Sequence, residues 1–324
     1  MIWANHVDLN VGGSEKETWY PENHTWTSQG KGTFVCNEES WRRVTDRLSP
    51  SGANLLLIEL NDALAFPSHP ELACTGAWSA EKMAAEVKRL RARGVEVVPL
   101  LNFATTHDYW LKDYNRMVGT PKYYEICRDV IADVCDIFGH PKYFHFGMDE
   151  EGMDQVRVLK GVGTFRRGRA LWYDVKFYAK CCEKGGSRPW MWADAIADDE
   201  KGFCENVPKS IVQSGWYYWQ LFENEPTDRR GFQRKHWRTY EMLARSGYDQ
   251  IPCGSVWTED KEPLPNQFAA LVEHVGKVVP KTNIRGFLQT TWKPLIPAAG
   301  CEAKNMKALD CLEAARRTYE GKGA

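Results

Sequence analysis

The fold is decided by Tyr143-Phe144-His145-Phe146-Gly147-Met148-Asp149-Glu150-Glu151, a mostly apolar and aromatic run that ends in three consecutive carboxylates. This pattern is typical of a buried strand that stops at an acidic cluster. In a barrel of parallel strands, the C-terminal strand ends carry the chemistry. We therefore predict that Asp149 and Glu150 are an acid/base pair. The alternative is that Asp149 caps the next helix, although a cap does not need the like-charge repulsion of three neighbouring acids.

Working outward, seven further apolar segments alternate with helical segments along the chain. The clearest is 53–62, a near-continuous apolar run typical of a parallel strand buried on both faces, and it also ends in acids, Glu59 and Asp62. The other six begin at Ile2, Val95, Pro189, Ser210, Ile251 and Ile284.

Eight strand–helix pairs in strict alternation predict an α/β fold, a single (β/α)8 TIM barrel that covers residues 1–324. The polar and aromatic segment 12–35 is predicted to be a long loop over the site. Helix caps are predicted at Asn37, Ser79 and Thr120. An open doubly wound sheet is the alternative, but no Gly-rich dinucleotide turn follows the first strand.

Charge and composition exclude several classes of function. The 42 basic and 43 acidic residues leave a formal net charge of −1, so there is no electrostatic case for nucleic acid or an anionic membrane. No apolar run approaches the roughly 18 to 20 residues of a membrane helix, and residues 1–6 show no signal-peptide pattern. The ten cysteines include no CxxC pair, so no metal site or cofactor is predicted. Compartment and oligomeric state are left open.

The strand ends also resemble a known family. His145-Phe146-Gly147-Met148-Asp149-Glu150 is similar to the His-x-Gly-Gly-Asp-Glu signature of glycoside hydrolase family 20, the β-N-acetylhexosaminidases. Further segments are similar to other strand ends of that family: 59–62, 78–81, 98–107, 192–194 and Trp292. The resemblance covers most of the chain from about Asn54 onward.

This resemblance implies a carbohydrate substrate and a substrate-assisted retaining mechanism, in which the 2-acetamido oxygen of the sugar attacks the anomeric carbon. Glu150 would be the general acid, and Asp149 would orient the acetamido group. Tyr217 or Tyr218 would donate a hydrogen bond to the acetamido carbonyl, and the residues alone do not choose between them.

The remaining candidate positions carry competing interpretations. Trp192, Trp216, Trp257 and Trp292 close strands and could line the sugar site or pack the barrel top. Asp194 could hold a hydroxyl or cap a helix. Glu59, Asp62 and His107 are expected near the substrate, with Asp62 and His107 supporting the catalytic pair rather than reacting.

Four departures from the family pattern keep other functions open. Met148 replaces the second Gly, Glu59 stands where His is usual, Trp3 falls at the position of a sugar-binding Arg, and Lys293-Pro294 follows Trp292 where an acid is common. The alternatives are a glycosidase for an acidic, sulfated or non-acetylated hexoside, a metal-dependent sugar isomerase or hydrolase, and a sugar-binding barrel without catalysis.

Overall fold

Eight parallel strands form one sheet in the order β6-β5-β4-β3-β2-β1-β8-β7. The computed structural model describes residues 1–10, 33–151, 163–219, 222, 236–257 and 267–321. The strands are β1 (Ile2–Asp8), β2 (Leu55–Glu59), β3 (Glu96–Leu100), β4 (Tyr143–His145), β5 (Arg188–Trp192), β6 (Val212–Ser214), β7 (Cys253–Ser255) and β8 (Gly286–Thr290).

The two ends of the sheet meet between β6 and β7. Parallel bridges join Gln213 to Gln250 and Trp216 to Cys253. The backbone N–H of Tyr217 donates to the carbonyl of Cys253 at 3.0 Å, and the N–H of Cys253 donates to Gly215 at 2.8 Å. The sheet therefore closes on itself, and the predicted (β/α)8 barrel is confirmed.

Helices follow the strands and cover the outside of the barrel. They are α1 (Glu38–Ser51), α2 (Ala80–Arg91), α3 (Pro121–Ile137), α4 (Arg169–Lys184), α5 (Ala195–Asp198), α6 (Glu200–Asn206), α7 (Thr239–Arg245), α8 (Gln267–Val278) and α9 (Ala299–Gly321). The predicted caps are confirmed. The side chains of Asn37, Ser79 and Thr120 each accept a hydrogen bond from the backbone N–H three residues further along the chain. None of the described helices has the length and apolarity needed to cross a membrane.

Two differences from the predicted elements concern the mouth of the barrel. Several strands are shorter than their apolar runs: β7, for example, covers only Cys253–Ser255 of the apolar segment that begins at Ile251. The segment Asp108–Met117 after β3, which forms 3₁₀ turns on either side of a non-helical Lys112, was not predicted. The predicted loop 12–35 lies outside the described residues except for 33–35.

Alternation along the strands separates an inner core from an outer one. Ala4, Leu57, Leu100 and Trp190 belong to the cluster that fills the barrel, whereas the intervening Trp3, Leu56 and Met191 pack between strands and helices. The inner cluster is plugged by large side chains, with Trp190 fully buried and Tyr143 5% exposed. The lumen is therefore solid below, and any site lies at the C-terminal mouth.

Candidate active site

The chain leaves β4 through an unusual backbone turn that presents the acids. Gly147, Met148 and Glu150 all have positive φ, at 73°, 74° and 55°. Such values are uncommon for residues other than Gly and concentrate at functional sites. Asn102, at the end of β3, holds the turn: its Oδ1 accepts from the N–H of Met148 at 3.2 Å, and its Nδ2 donates to Asp149 Oδ1 at 2.8 Å.

We expect Gly147→Ala to destabilise the protein through this close approach. A Cβ at Gly147 would lie 2.0 Å from Asn102 Oδ1 and 2.7 Å from Asn102 Cα, so backbone as well as side chain would have to move. Gly119→Ala is the matched control, because its φ of 84° is similar and nothing lies within 4 Å of the added Cβ. The overpacking should cost about 1–3 kcal/mol beyond the control in urea unfolding. Equal losses of stability in the two variants would contradict the close contact between Gly147 and Asn102.

The three consecutive acids point to different surroundings. Asp149 accepts from Asn102, and the N–H of Glu150 donates to Asp194 Oδ2 at 2.7 Å. Glu151 turns away from the mouth: its Oε1 accepts from the N–H of Thr105 at 2.8 Å and pairs with Arg166. Because Glu151 is neutralised behind the strands, only Asp149 and Glu150 remain available at the opening.

His107 joins these two acids. Its Nε2 lies 3.4 Å from Asp149 Oδ2 and 3.3 Å from Glu150 Oε2. Burial acts to lower the pKa of His107, but the two carboxylates outweigh it and hold that pKa well above its ordinary value. Burial acts to raise the pKa of Asp149, but His107 and Asn102 outweigh it and leave that pKa lowered. The site therefore contains an ionised Asp149 beside a cationic imidazole.

The His107–Asp149 pair should make stability depend on pH. The raised pKa of His107 contributes stability that is full below its unfolded value of about 6.5 and is lost as pH rises through the folded value. The lowered pKa of Asp149 contributes stability above its unfolded value of about 3.9, which is lost as pH falls through the folded value. The stability difference between wild type and His107→Gln in urea should therefore be largest between about pH 4 and 6.5.

A second measurement isolates the cause of the shift. NMR titration of the His107 ring should give a pKa above about 6.5 in the wild type and a lower one in Asp149→Asn/Glu150→Gln, where burial alone acts. A pKa that stays raised after both carboxylates are neutralised would contradict this account.

Asp194 lies at the N-terminal end of α5, yet its side chain makes no capping bond there. It accepts from Glu150 N–H instead. Burial, followed by the charge of Asp149, raises the pKa of Asp194 well above its usual range. Asp194 is thus a carboxyl that tends to stay protonated beside the acid pair.

An aromatic wall completes this side of the mouth. Trp292 Nε1 donates to the Tyr218 hydroxyl at 3.0 Å, and its ring lies 5.7 Å from that of Trp192. Trp216 stacks on Tyr218 at 5.2 Å, and Trp257 packs against the same inner cluster. All five side chains point into the barrel, because they continue the inward-facing positions of β5 to β8.

Tyr217 is not part of this wall. Its ring is 1% exposed in the outer core and packs against Trp219 and Phe222, with centroids 5.6 and 4.8 Å away. Alternation along one strand thus separates the two candidate tyrosines, and Tyr218 is the one that faces the lumen. Burial raises the pKa of Tyr218 well above its ordinary value, so the hydroxyl keeps its proton.

The opposite side of the mouth is built by β1 and β2. Glu59 Oε2 lies 3.1 Å from His6 Nε2, and Asp62 accepts from Asn10 Nδ2 at 2.6 Å. Burial raises the pKa of Asp62 and, together with Glu59, that of Asp8. Trp3 lies in the outer core against Phe287 and Tyr319, so this position does not face the site.

Several residues of the site were not predicted. Asn102 and Arg166 carry no motif, and the residues Met148 and Glu151 that they contact are 46 and 15 residues away along the chain. His6 and Asp8 could have been found from alternation, since they share the inward face of β1 with Ala4. Among the described residues, no three His, Cys, Asp or Glu side chains are grouped so that they could hold a metal ion.

Comparisons with known proteins show which solved structures have a similar fold. No family model matches the sequence, and no curated protein matches it. Solved structures do match: a Streptomyces plicatus beta-hexosaminidase mutant in complex with its product GlcNAc, at 14% identity and a TM-score of 0.64, over 96% of this chain and 63% of that one.

Two further structures give the same result. Dispersin B matches at 14% identity and a TM-score of 0.59, over 96% of this chain and 98% of that chain. A Vibrio harveyi family 20 exo-β-N-acetylglucosaminidase in complex with N-acetylglucosamine matches at 12% identity and 0.61, over 96% and 54%. This chain therefore covers little more than half of the Streptomyces and Vibrio structures and almost all of Dispersin B. Its fold is therefore similar to the barrels of these hexosaminidase and family 20 structures.

Proposed function

We propose that this protein is a glycoside hydrolase that removes a terminal N-acetylhexosamine with retention of configuration. The observation that carries the proposal is the arrangement of Asp149 and Glu150 at the mouth of the barrel, joined by His107 and set beside the wall of Trp192, Trp292 and Tyr218. The neighbouring structures are glycosidases by name, which supports the same reaction class.

Glu150 would protonate the glycosidic oxygen while the acetamido oxygen of the sugar attacks the anomeric carbon from the other face. The C–O bond to the leaving group breaks, and the leaving alcohol departs with the proton of Glu150. Water then attacks the bicyclic oxazoline-like intermediate and gives its proton to Glu150, so two inversions amount to retention. Glu150 is the least covered of the three acids, with its side chain 26% exposed, as this exchange with water requires.

Asp149 and Tyr218 would hold the acetamido group. The lowered pKa of Asp149 keeps it ionised, so it can accept the acetamido N–H and stabilise the positive charge that develops on the amide. Tyr218 keeps its proton and can donate to the acetamido carbonyl while it accepts from Trp292. The aromatic faces of Trp192 and Trp292 offer a flat apolar surface for the sugar and its methyl group.

The proposal is tested with nitrophenyl β-glycosides of N-acetylglucosamine, N-acetylgalactosamine and glucose. Cleavage of the acetamido sugars alone, with strong inhibition by N-acetylglucosamine thiazoline, is the expected result. Equal cleavage of the glucoside would remove substrate assistance, and loss of activity in EDTA would favour the metal-dependent alternative. Binding of N-acetylglucosamine without any turnover would identify a sugar-binding barrel instead.

A further inference from the structure

The mechanism above gives no role to Asp8 and Glu59, two carboxyls on the β1–β2 side of the mouth. Asp8 ends β1 and is the register partner of Glu59, which ends β2. Both face the lumen, because Ala4 on the same face of β1 and Leu57 on the same face of β2 belong to the inner core. Asp8 is 3% exposed and Glu59 is 6% exposed.

The described hydrogen bonds engage one oxygen of each carboxyl. Asp8 accepts a hydrogen bond from the backbone of Asn10, but its Oδ1 is buried and has no hydrogen-bond partner within the described parts of the chain. Glu59 Oε2 and His6 Nε2 share a hydrogen bond, and this contact fixes the position of the Glu59 side chain. A buried acceptor without a donor bears the cost of its lost hydration, and native proteins rarely leave one unless something else supplies the donor.

The pair lies across the same mouth from Asp149 and Glu150. Burial raises the pKa of Asp8, and the charge of His107, which contacts Asp149 and Glu150, acts to lower it. The ring of His6 lies 4.6 Å from that of Trp292, the residue that also holds Tyr218. A sugar resting on Trp292 therefore meets the acid pair on the β4 side and Asp8 with Glu59 on the β1–β2 side.

We propose that Asp8 and Glu59 bind the neighbouring 3- and 4-hydroxyls of the terminal sugar, and this rests on the proposed function. With C1 assigned to Glu150 and the C2 substituent to Asp149, the only vicinal hydroxyl pair left on the ring is at C3 and C4. A sugar hydroxyl can donate to Glu59 or to the buried Oδ1 of Asp8, and it can accept from Asp8 when that carboxyl is protonated. A sulfate or other anionic group at either position would bring no donor and would be repelled by Glu59. The substrate is therefore a hexosamine that is unsubstituted at both positions, rather than one sulfated there.

The test measures binding by calorimetry, with N-acetylglucosamine and its 3-deoxy, 4-deoxy and 6-deoxy analogues. In the wild type, the 3-deoxy and 4-deoxy sugars should bind about 10- to 100-fold more weakly than the parent, as for hydrogen bonds to charged groups. Each penalty should fall below about 3-fold in the variant whose side chain has no acceptor left for that hydroxyl, Asp8→Leu or Glu59→Met. The 6-deoxy sugar is the ligand control, and Asp136→Asn, on the exposed face of α3, is the protein control.

Three results would overturn the inference: no deoxy penalty in the wild type, a penalty that persists unchanged in both variants, or no sugar binding at all. The wild-type measurements decide the first and third even when a variant does not fold. Cleavage of the nitrophenyl sugars is scored separately. Deoxy penalties without cleavage would retain the diol site and reject the hydrolase, whereas cleavage without penalties would do the reverse.

Discussion

Glu150→Gln should lower kcat by about 10²- to 10⁴-fold on a substrate with a poor leaving group, with little change in KM. Gln has nearly the same size as Glu, and the substitution leaves the hydrogen bond from the backbone N–H of residue 150 to Asp194 intact. The loss of turnover therefore reflects the loss of the acidic proton. Turnover of purified protein is measured with an alkyl or disaccharide substrate and with a nitrophenyl substrate. The loss should shrink for the nitrophenyl leaving group, which departs without protonation.

The control for Glu150→Gln is Glu205→Gln, a surface acid on α6 whose side chain is 61% exposed. This variant should match the wild type on both substrates. Full turnover by Glu150→Gln, or an equal loss for both leaving groups, would show that Glu150 is not the general acid.

Arg166→Met should reduce the free energy of unfolding by about 3–5 kcal/mol, because it leaves two carboxylates buried without a counter-charge. The Arg166 guanidinium pairs with Glu151 and lies 2.7 Å from Asp174, and the side chains of all three residues are at most 4% exposed. Urea unfolding measures the loss. Neutralising the acids as well, in Arg166→Met/Glu151→Gln/Asp174→Asn, should recover most of it.

An exposed ion pair provides the contrast for Arg166→Met. Arg317, 72% exposed, pairs with Glu313 on the surface of α9, and Arg317→Met should cost less than about 1 kcal/mol. If Arg166→Met cost no more than this, the carboxyls behind β4 would have to be hydrated or protonated rather than paired as described.

The sequence predicted the barrel because parallel strands buried on both faces leave a strong local signal. The continuous apolar run in β2 and the capping side chains of α1, α2 and α3 depend only on near neighbours, and they lie where expected. Strand ends were placed less well, because the last apolar residues of β7 leave the ladder to form the mouth.

The site residues also differ in how far they could be predicted from local sequence. Asp149 and Glu150 stand out by their position after a buried strand, and alternation was sufficient to separate Tyr217 from Tyr218 once the register was known. The partners that fix the turn depend on which strands are neighbours in space: Asn102 reaches Met148 across the β3–β4 step, and Arg166 reaches back to Glu151. No local pattern encodes such pairings, so coordinates are needed to find them.

The packed interior below the mouth has one more consequence. Because Trp190 and Tyr143 fill the barrel beneath the acids, the lumen is closed below the mouth. Under the proposed function, a polysaccharide could not pass through the barrel, and only the end of a glycan chain could reach the acids. The released sugar would then leave by the path that the next chain enters, so release would have to precede the next binding event.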